Sequence, residues 1–289
     1  MLHHVIDVLA DPIDGSALSG ADEFSRLVST TGHSYDVAKQ GYVTLASGAG
    51  LNHEGDSPAM VSSREAFLSR GHFAPFVETV TERVLDALSH GPLVDDAQPT
   101  ILEVGAGTGY YLSHTLDAVE NSRGVGVDIA FPAAKHLAKS HPRVGAVVAD
   151  VWAGLPLQDK SVDVITVIFA PRNPAEFARV LSDDGEVIVL TPQQGHLDEL
   201  REPLGILGVE DGKVDRLLEQ ARGYLEPVGD GELIEFPMRL DRDAIAAQVG
   251  MSPSARHIEP SVLAERVAQL PETMQVTARA QLTLSLIHI

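Results

Sequence analysis

A glycine-rich turn constrains the fold of this chain more than any other feature of its sequence. Residues 102–110 read Leu-Glu-Val-Gly-Ala-Gly-Thr-Gly-Tyr, between an apolar strand pattern and a helical one. Glycine lets backbone N–H groups approach a ligand that a Cβ would exclude, and a helix N-terminus favours negative charge. The turn therefore predicts a site for a nucleotide-containing cofactor, although a tight turn also needs glycine for purely structural reasons.

Carboxylates at the ends of two further strand patterns support this prediction. Asp128 lies about 20 residues beyond the turn, where a carboxylate accepts hydrogen bonds from ribose hydroxyls, and Asp150 follows the pattern 144–148. The glycines have the spacing G-x-G-x-G, with Tyr110 where a dinucleotide site has its last glycine and Glu103 two residues upstream. This pattern resembles motif I of the class I S-adenosylmethionine (SAM) methyltransferases more than an NAD site. In that family the position of Asp150 faces the adenine amino group.

Strand and helix patterns alternate from residue 100 onward, as in a doubly wound sheet. Strands are predicted at 100–104, 123–127, 144–148, 162–169 and 186–190, and helices near 110–120, 131–140 and 174–181. Strand patterns at 232–240 and 275–284 flank a short helix at 242–249 and close the sheet with one antiparallel member. The predicted fold is α/β, of the class I methyltransferase (Rossmann-like) type, with a mostly parallel seven-stranded sheet and a small β-rich N-terminal module.

The chain divides into three segments by pattern. Residues 1–50 form the β-rich module, with short apolar clusters such as 5–9 broken by Asp, Gly and Ser. Residues 51–97 form a linker and two helices, the first beginning at Ser62 and the second spanning 73–88. Residues 98–289 form the predicted SAM-binding domain.

Composition limits the classes of function. No apolar run approaches the length of a membrane span and no secretory signal is visible at the N-terminus, so we expect a cytoplasmic protein. The absence of cysteine excludes disulfides, thiolate nucleophiles and cysteine metal sites. With 41 acidic and 21 basic residues, the formal charge is −20. Such a charge repels phosphates and counts against a nucleic-acid substrate without excluding one, because a local basic face remains compatible with it.

An ordered set of short segments extends over nearly the whole chain. The segments are 36–43, 55–57, 64–68, 71–73, the glycine turn, 168–171, 195–197, 237–240 and 251–253. Each is unspecific alone, but in this order and spacing the set resembles the methyltransferases that modify N1 of a guanine in a hairpin of large-subunit ribosomal RNA. The resemblance implies SAM as the methyl donor and ribosomal RNA as the acceptor, and it also allows a homodimer.

The chain departs from this family at its N-terminus. The family begins with a zinc ribbon of the form C-P-x-C followed by C-x-x-x-H, and the four ligand positions here are Asp11, Asp14, Ser29 and His33. Tetrahedral zinc favours thiolate and imidazole, and serine is a poor donor at neutral pH. We therefore predict a metal-free module, although Asp11, Asp14 and His33 also form a ligand set for a harder ion.

The resemblance also implies which residues hold the cofactor. In the family a tyrosine, the glycine turn and a histidine contact SAM, and the corresponding positions here are Phe73, the turn and His196. By itself, His196 is equally well explained as an exposed loop residue. The predicted cofactor-binding residues are Phe73, Glu103, Gly105, Ala106, Gly107, Thr108, Gly109, Tyr110, Asp128, Ile129, Asp150, Val151 and His196.

The turn after the fourth strand is predicted to hold the methyl acceptor. In this fold it lies beside the methyl group, so Pro171 positions a planar acceptor while Arg172 and Asn173 recognise a guanine edge or an acidic metabolite. A simple strand-ending turn explains the same residues. Asp56 is the candidate proton acceptor, or alternatively caps the helix near Ser57. The predicted catalytic residues are thus Asp56, Pro171, Arg172 and Asn173.

Three functional hypotheses follow. The first is a ribosomal RNA guanine-N1 methyltransferase, which the full-length resemblance favours. The second is a SAM-dependent methyltransferase of a small molecule, which the acidic charge and the missing zinc ligands favour. The third, a SAM-binding protein without methyltransferase activity, has no positive support in the sequence.

Overall fold

A computed structural model of the chain describes residues 1–46, 50–90, 98–209 and 212–287. The predicted segment boundary at residue 97 lies outside the described residues. Among the described residues, no helix is both long and apolar enough to cross a bilayer.

The strands and helices fall close to the predicted positions in the second half of the chain. The strands are β1 (Leu18–Ala21), β2 (Arg26–Ser29), β3 (Ser34–Asp36), β4 (Tyr42–Thr44), β5 (Thr100–Val104), β6 (Arg123–Asp128), β7 (Val144–Val148), β8 (Val162–Ile168), β9 (Leu181–Pro192), β10 (Leu225–Asp241) and β11 (Thr273–Ile287). The α-helices are α1 (Pro58–Leu68), α2 (Ala74–His90), α3 (Tyr110–Ala118), α4 (Phe131–Ser140), α5 (Pro174–Val180), α6 (Asp198–Leu204), α7 (Lys213–Ala221), α8 (Arg242–Gly250) and α9 (Pro260–Ala268).

The central sheet has the strand order β10-β11-β9-β8-β5-β6-β7-β4. The neighbours from β9 to β4 pair in parallel, and β11 pairs antiparallel with both β9 and β10. This confirms the predicted mostly parallel sheet with one antiparallel member. The order reverses at β5, so the carboxyl ends of β5 and its neighbours form the crevice where ligands bind in such sheets.

The sheet has eight strands instead of the predicted seven. The additional strand is β4, which comes from the N-terminal segment and pairs in parallel with β7, with Tyr42 opposite Ala146 and Thr44 opposite Val148. This pairing covers the edge that β7 would otherwise expose. The sequence pattern did not predict the pairing of β4 with β7, because a strand of three residues has too little periodicity to indicate its partner.

Two further predictions were wrong in detail. The apolar cluster 5–9 forms no strand: it contains the short 3₁₀ helix Ile6–Val8, which follows another short 3₁₀ helix, Leu2–His4. Helix α1 begins four residues before Ser62, because the Ser57 hydroxyl caps it by accepting a hydrogen bond from the Met60 N–H (3.3 Å) and Pro58 occupies its first turn.

Apolar residues cover both faces of the sheet. One face packs against α2 and α3 through side chains that include Phe76, Val80 and Leu112. The other face packs against the N-terminal segment through Leu2, Leu9 and other residues. Every residue of β5 and β7 is buried, as expected for parallel strands covered on both sides. The N-terminal module is thus anchored on the same sheet that ends in the glycine turn.

Candidate cofactor and acceptor site

The glycine turn leaves β5 in a conformation that only glycine adopts without strain. Gly105, Gly107 and Gly109 have φ values of +69°, +55° and +81°. A Cβ at Gly105 would collide with Ala170, and a Cβ at Gly109 would lie 2.5 Å from the Ser140 hydroxyl. Close approach of neighbouring chain segments, as well as backbone conformation, therefore requires these glycines.

Asp128, at the end of β6, anchors this turn. Its Oδ2 atom accepts a hydrogen bond from the Gly107 N–H (2.7 Å), and its Oδ1 atom accepts one from the Ala130 N–H (2.8 Å). Burial raises the pKa of the carboxyl group, and these two hydrogen bonds oppose the increase. Each oxygen retains a lone pair for a further donor such as a ribose hydroxyl.

A cleft of about 340 Å³ opens at the carboxyl ends of β5, β6 and β7. Eight predicted site residues line it, together with Trp152, whose ring is 53% exposed. A smaller cavity of about 40 Å³ adjoins it at the turn and contains five more. The first group is Asp56, Gly105, Gly107, Asp128, Ile129, Asp150, Val151 and Pro171; the second adds Phe73, Glu103, Ala106, Thr108 and Tyr110.

Glu103 lies at the bottom of the smaller cavity and is only 2% exposed. Its Oε2 atom finds no hydrogen-bond partner among the described residues, and the same holds for the buried hydroxyl of Tyr111. Burial raises the pKa of Glu103 to about 8, and the nearby charge of Asp128 adds to the increase. A buried polar atom without a hydrogen-bond partner raises the free energy of the folded protein. A cationic or N–H donor in the cavity would remove this cost.

Asp150 is also buried, but it has partners within the chain. Its Oδ1 atom accepts a hydrogen bond from the Trp152 N–H (3.0 Å), and its Oδ2 atom lies 2.8 Å from Nδ1 of His53. His53 comes from the segment before α1 and is mostly exposed. No sequence motif predicted His53 or Trp152 as site residues. The His53 pairing joins positions 97 residues apart, which no local pattern indicates.

Residues 53–56 cross the mouth of the cleft and are held there by two arginines. Arg64 donates to Asp56 (2.6 Å), and Arg256 donates to the Gly55 carbonyl (2.9 Å). A Cβ on Gly55 would lie 2.7 Å from the Ala130 Cα, so glycine is needed for this close packing. Ser57 is the helix cap, which leaves Asp56 as an ion-paired carboxylate facing the cleft. The role of Arg256 was not predicted.

The loop after β8 presents an aromatic ring beside the glycine turn. Phe169 has φ +53°, an uncommon conformation for a bulky residue, and its ring is 36% exposed. The ring centroid lies 5.7 Å from that of Phe76 and 5.9 Å from that of His196. Pro171 follows it on the cleft wall. Held in a strained position, Phe169 offers a flat apolar face to a planar group.

Arg172 and Asn173 bind neighbouring segments of the protein. The Arg172 guanidinium donates to the Thr191 hydroxyl (2.6 Å), while its Nε atom has no partner in the described structure. Burial lowers the pKa of Arg172 to about 10. The Asn173 side chain donates to the Val151 carbonyl (2.9 Å) and caps α5. These contacts position the loop, and direct contact of either residue with an acceptor stays a prediction.

His196 is half-buried beside the aromatic cluster and is not a fully exposed loop residue. Its Nδ1 atom accepts a hydrogen bond from the Arg279 N–H (3.0 Å), so a neutral ring carries its proton on Nε2. Burial lowers the pKa of His196 to about 4. His196 is therefore neutral at pH 7 and is available as a hydrogen-bond donor. Its centroid lies 6.3 Å from that of Phe73, the other residue at a predicted SAM-contact position.

The four N-terminal positions that correspond to zinc ligands do come together. Ligand atoms of Asp11, Asp14 and His33 all lie within 4.8 Å of one another, but the polar atoms already bind each other. The buried Asp11 carboxylate lies 2.8 Å from Nδ1 of His33 and accepts from the Tyr35 hydroxyl (2.7 Å), while the Ser29 hydroxyl accepts from the His33 N–H (2.9 Å). Two carboxylates, a serine and one histidine do not form a donor set that suits structural zinc.

Comparison with known proteins identifies the class and then the family. Residues 101–202 match the model of a methyltransferase domain, and together with the sheet order and glycine turn this makes the fold that of a class I methyltransferase. A protein of Streptomyces fradiae named "23S rRNA (guanine(748)-N(1))-methyltransferase" is 38% identical over 98% of both chains. A protein of Micromonospora griseorubida named "Putative 23S rRNA (guanine-N(1)-)-methyltransferase" is 39% identical over 94% of both chains. The chain belongs to this family of 23S rRNA guanine-N1 methyltransferases.

Proposed function

We propose that this protein transfers the methyl group of SAM to N1 of a guanine in 23S ribosomal RNA. The observation that carries the proposal is the cleft at the carboxyl ends of β5 to β8. It combines an unsatisfied carboxyl group, a strand-end aspartate and an exposed aromatic ring within one site. The family to which the chain belongs supports the same acceptor.

The residues fit SAM as donor. Glu103 would accept hydrogen bonds from the ammonium group, which supplies the cation that its buried Oε2 lacks. Asp128 would accept from the ribose hydroxyls, and Asp150 with Ile129 and Val151 would surround the adenine. When bound, SAM supplies an electrophilic methyl group. His196, through its Nε2–H, and Phe73 would complete the methionine end of the site.

The chain contributes alignment and exclusion of water to the reaction. A guanine stacked within folded RNA must leave its stack for its N1 atom to reach the cleft. Phe169 would stack on the extruded base while Pro171 and the loop carbonyls fix its plane. Asp56 would receive the N1 proton as methylation proceeds, and Arg64 and Arg256 keep this carboxylate oriented.

Methyl transfer to defined substrates tests this proposal. Purified protein is incubated at low salt with methyl-labelled SAM and 23S rRNA that lacks the modification, and the RNA is digested to nucleosides. We expect the label in N1-methylguanosine. Label that enters a pool of small metabolites, with none in RNA, would instead establish the small-molecule methyltransferase. Tight SAM binding with no transfer to either substrate would contradict both.

A further inference from the structure

An exposed basic surface interrupts the acidity of this protein beside the cleft. The chain has a formal charge of −20 and contains five lysines. Lys135 and Lys139 lie on α4, and Lys39 lies in the turn that precedes β4. All three side chains belong to exposed residues. More than half of the lysines in an acidic chain are therefore concentrated in one part of the structure.

The geometry of α4 aligns these charges. Phe131, Lys135 and Lys139 are four residues apart, so they follow one another along the same side of the helix over about 12 Å. Leu137 and Ala134, on the opposite side, are buried against the sheet. The exposed side of α4 thus presents two ammonium groups in line with a phenyl ring that is 43% exposed.

Lys39 reaches the same surface from the N-terminal module. The turn that carries it is closed by hydrogen bonds from the Gly41 N–H to the Ala38 carbonyl and from the Ala38 N–H to the Tyr42 carbonyl, both 2.8 Å. A Cβ at Gly41 would lie 3.8 Å from the Ala138 Cβ, and the Tyr42 ring centroid lies 6.4 Å from that of Phe131. The turn therefore lies directly against α4.

No described residue neutralises these three lysines. Within residues 1–46, 50–90, 98–209 and 212–287, none of them forms an ion pair or side-chain hydrogen bond. Lys160 differs, since its ammonium group lies 2.6 Å from Asp183. Two acids near α4 contact histidines: Glu65 lies 3.0 Å from His136, and Asp117 lies 3.4 Å from His141.

The surface begins at the rim of the candidate site. Helix α4 follows Ile129, which lines the cleft, and Ala130, which packs against Gly55 at the cleft mouth. A polyanion that lies along α4 would therefore enter the cleft region at Phe131. The remaining acidic surface would repel the same polyanion elsewhere.

We propose that Lys39, Lys135, Lys139 and Phe131, the α4 basic stripe, bind the RNA substrate through the phosphates that flank the target guanine. This inference rests on the proposed function and specifies where RNA contacts the protein. Lysine ammonium groups bind phosphate as point charges, and an exposed ring accepts an unstacked base. The stripe contains one aromatic ring among three cations, and the apolar side of α4 is buried. The stripe therefore has no apolar face that inserts into a membrane.

A triple variant and a charge-matched control test the stripe. The variant is Lys39→Ala/Lys135→Ala/Lys139→Ala, and the control is Lys160→Ala/Arg201→Ala/Arg222→Ala, which removes the same charge from exposed positions elsewhere. Affinity for a hairpin transcript of 23S rRNA is measured by fluorescence anisotropy at several salt concentrations. Methyl-transfer kinetics and SAM binding are measured in parallel. The single variant Lys139→Gln provides the same measurement with minimal perturbation.

In the stripe variant we expect the slope of log K against log salt to fall by about 2 to 3, because each lost phosphate contact removes nearly one counterion. The KM for RNA should rise by roughly tenfold or more, with kcat and SAM affinity unchanged. Lys139→Gln should lower the slope by about 1. The control should keep the slope of the wild type.

Other results would overturn the inference. Equal slopes in wild type and stripe variant would show that the lysines do not contact RNA, and equal losses in stripe and control variants would show a general charge effect. Unchanged RNA affinity with lost binding to phosphatidylglycerol vesicles would assign the surface to a membrane. In all three cases, methylation of RNA by the wild-type protein would still support the proposed function. A wild-type protein that methylates no RNA would instead refute the proposed function itself.

Discussion

Glu103 is a residue that the sequence motif places in the cofactor site and whose carboxyl group is buried in the structure. It stands two residues before the first glycine of the turn, so the motif indicated a cofactor ligand. The structure adds that the carboxyl group is buried and that burial raises its pKa to about 8. Glu103 is therefore largely protonated at pH 7 in the free protein. An ammonium group bound beside it would favour the ionised form.

SAM binding should therefore release a proton near pH 7. Isothermal titration in two buffers of different ionisation enthalpy measures this release as a difference in the observed binding enthalpy. In Glu103→Gln, which cannot ionise, the difference should disappear. Equal enthalpies in both buffers for the wild type would contradict the placement of the ammonium group at Glu103.

The same carboxyl group makes stability depend on pH. The pKa of Glu103 in the folded state is raised above its ordinary value of 4.5. The resulting contribution to the free energy of unfolding is fully present below about pH 4.5 and is lost as pH rises towards 8. Glu103→Gln should thus gain stability relative to the wild type between pH 5 and pH 9, by at most about 5 kcal/mol. Urea denaturation at the two pH values measures the gain, and a constant difference would count against a raised pKa.

Asp128 has a double role in binding and in shaping the turn. In Asp128→Asn the charged acceptor of the ribose hydroxyls is lost, and one of the two backbone N–H groups now faces an amide NH₂. We expect SAM affinity to fall by about 1.5–3 kcal/mol, the usual strength of hydrogen bonds to charged groups. Asp117→Asn, at an exposed position on α3, serves as the matched control. Calorimetric titration that finds equal affinity in Asp128→Asn and the control would refute the ribose contact.

At the scale of elements, hydrogen bonds between side chains join the loops of the N-terminal module. The loops that carry Asp11 and His33 are joined by the contact between their side chains, and Tyr35 on β3 donates to the same carboxylate. Burial raises the pKa of Tyr35, and its hydrogen bond to the Asp11 carboxylate adds to the increase. This network links three of the four positions, Asp11, Ser29 and His33, at which the sequence resemblance implied zinc ligands.

The module should therefore keep its fold without metal. Elemental analysis of protein purified without chelator should give far less than one zinc per chain, and EDTA should leave Tm unchanged. Asp11→Ala should lower the free energy of unfolding by about 1–3 kcal/mol, because the Tyr35 hydroxyl and the Ile13 N–H lose the buried carboxylate that accepts their hydrogen bonds. Asp14→Ala, at a more exposed position, should cost less. Stoichiometric zinc bound through His33 would overturn this account.

Local signals explain which elements the sequence predicted well. Glycines, strand-end acids and apolar runs are read within a few residues, so β5 to β8 and the helices between them were placed within a few positions. The Ser57 cap of α1 was overlooked because Asp56 competes with it as a candidate cap. Two contacts join segments that are distant in sequence, namely His53 with Asp150 and β4 with β7. Only the folded chain reveals such contacts.

At the scale of the whole molecule, sequence charge and sequence motif point in opposite directions. The −20 charge favoured a small-molecule acceptor, whereas the motif order favoured RNA. The structure relates the two, because most lysines gather beside the cleft while many arginines pair with acids elsewhere. Total charge does not reveal such clustering, since Lys39 and Lys135 lie almost one hundred positions apart in sequence.

Mass spectrometry of ribosomal RNA from cells with and without this gene tests the central claim most directly. Nucleosides from 23S rRNA of the parent strain should contain N1-methylguanosine at a site that is unmodified in the deletion strain. Expression of the wild-type gene should restore the methyl group, and expression of the Asp128→Asn variant should restore much less. An identical content of N1-methylguanosine at every site in parent and deletion strains would contradict the claim that this protein methylates 23S rRNA.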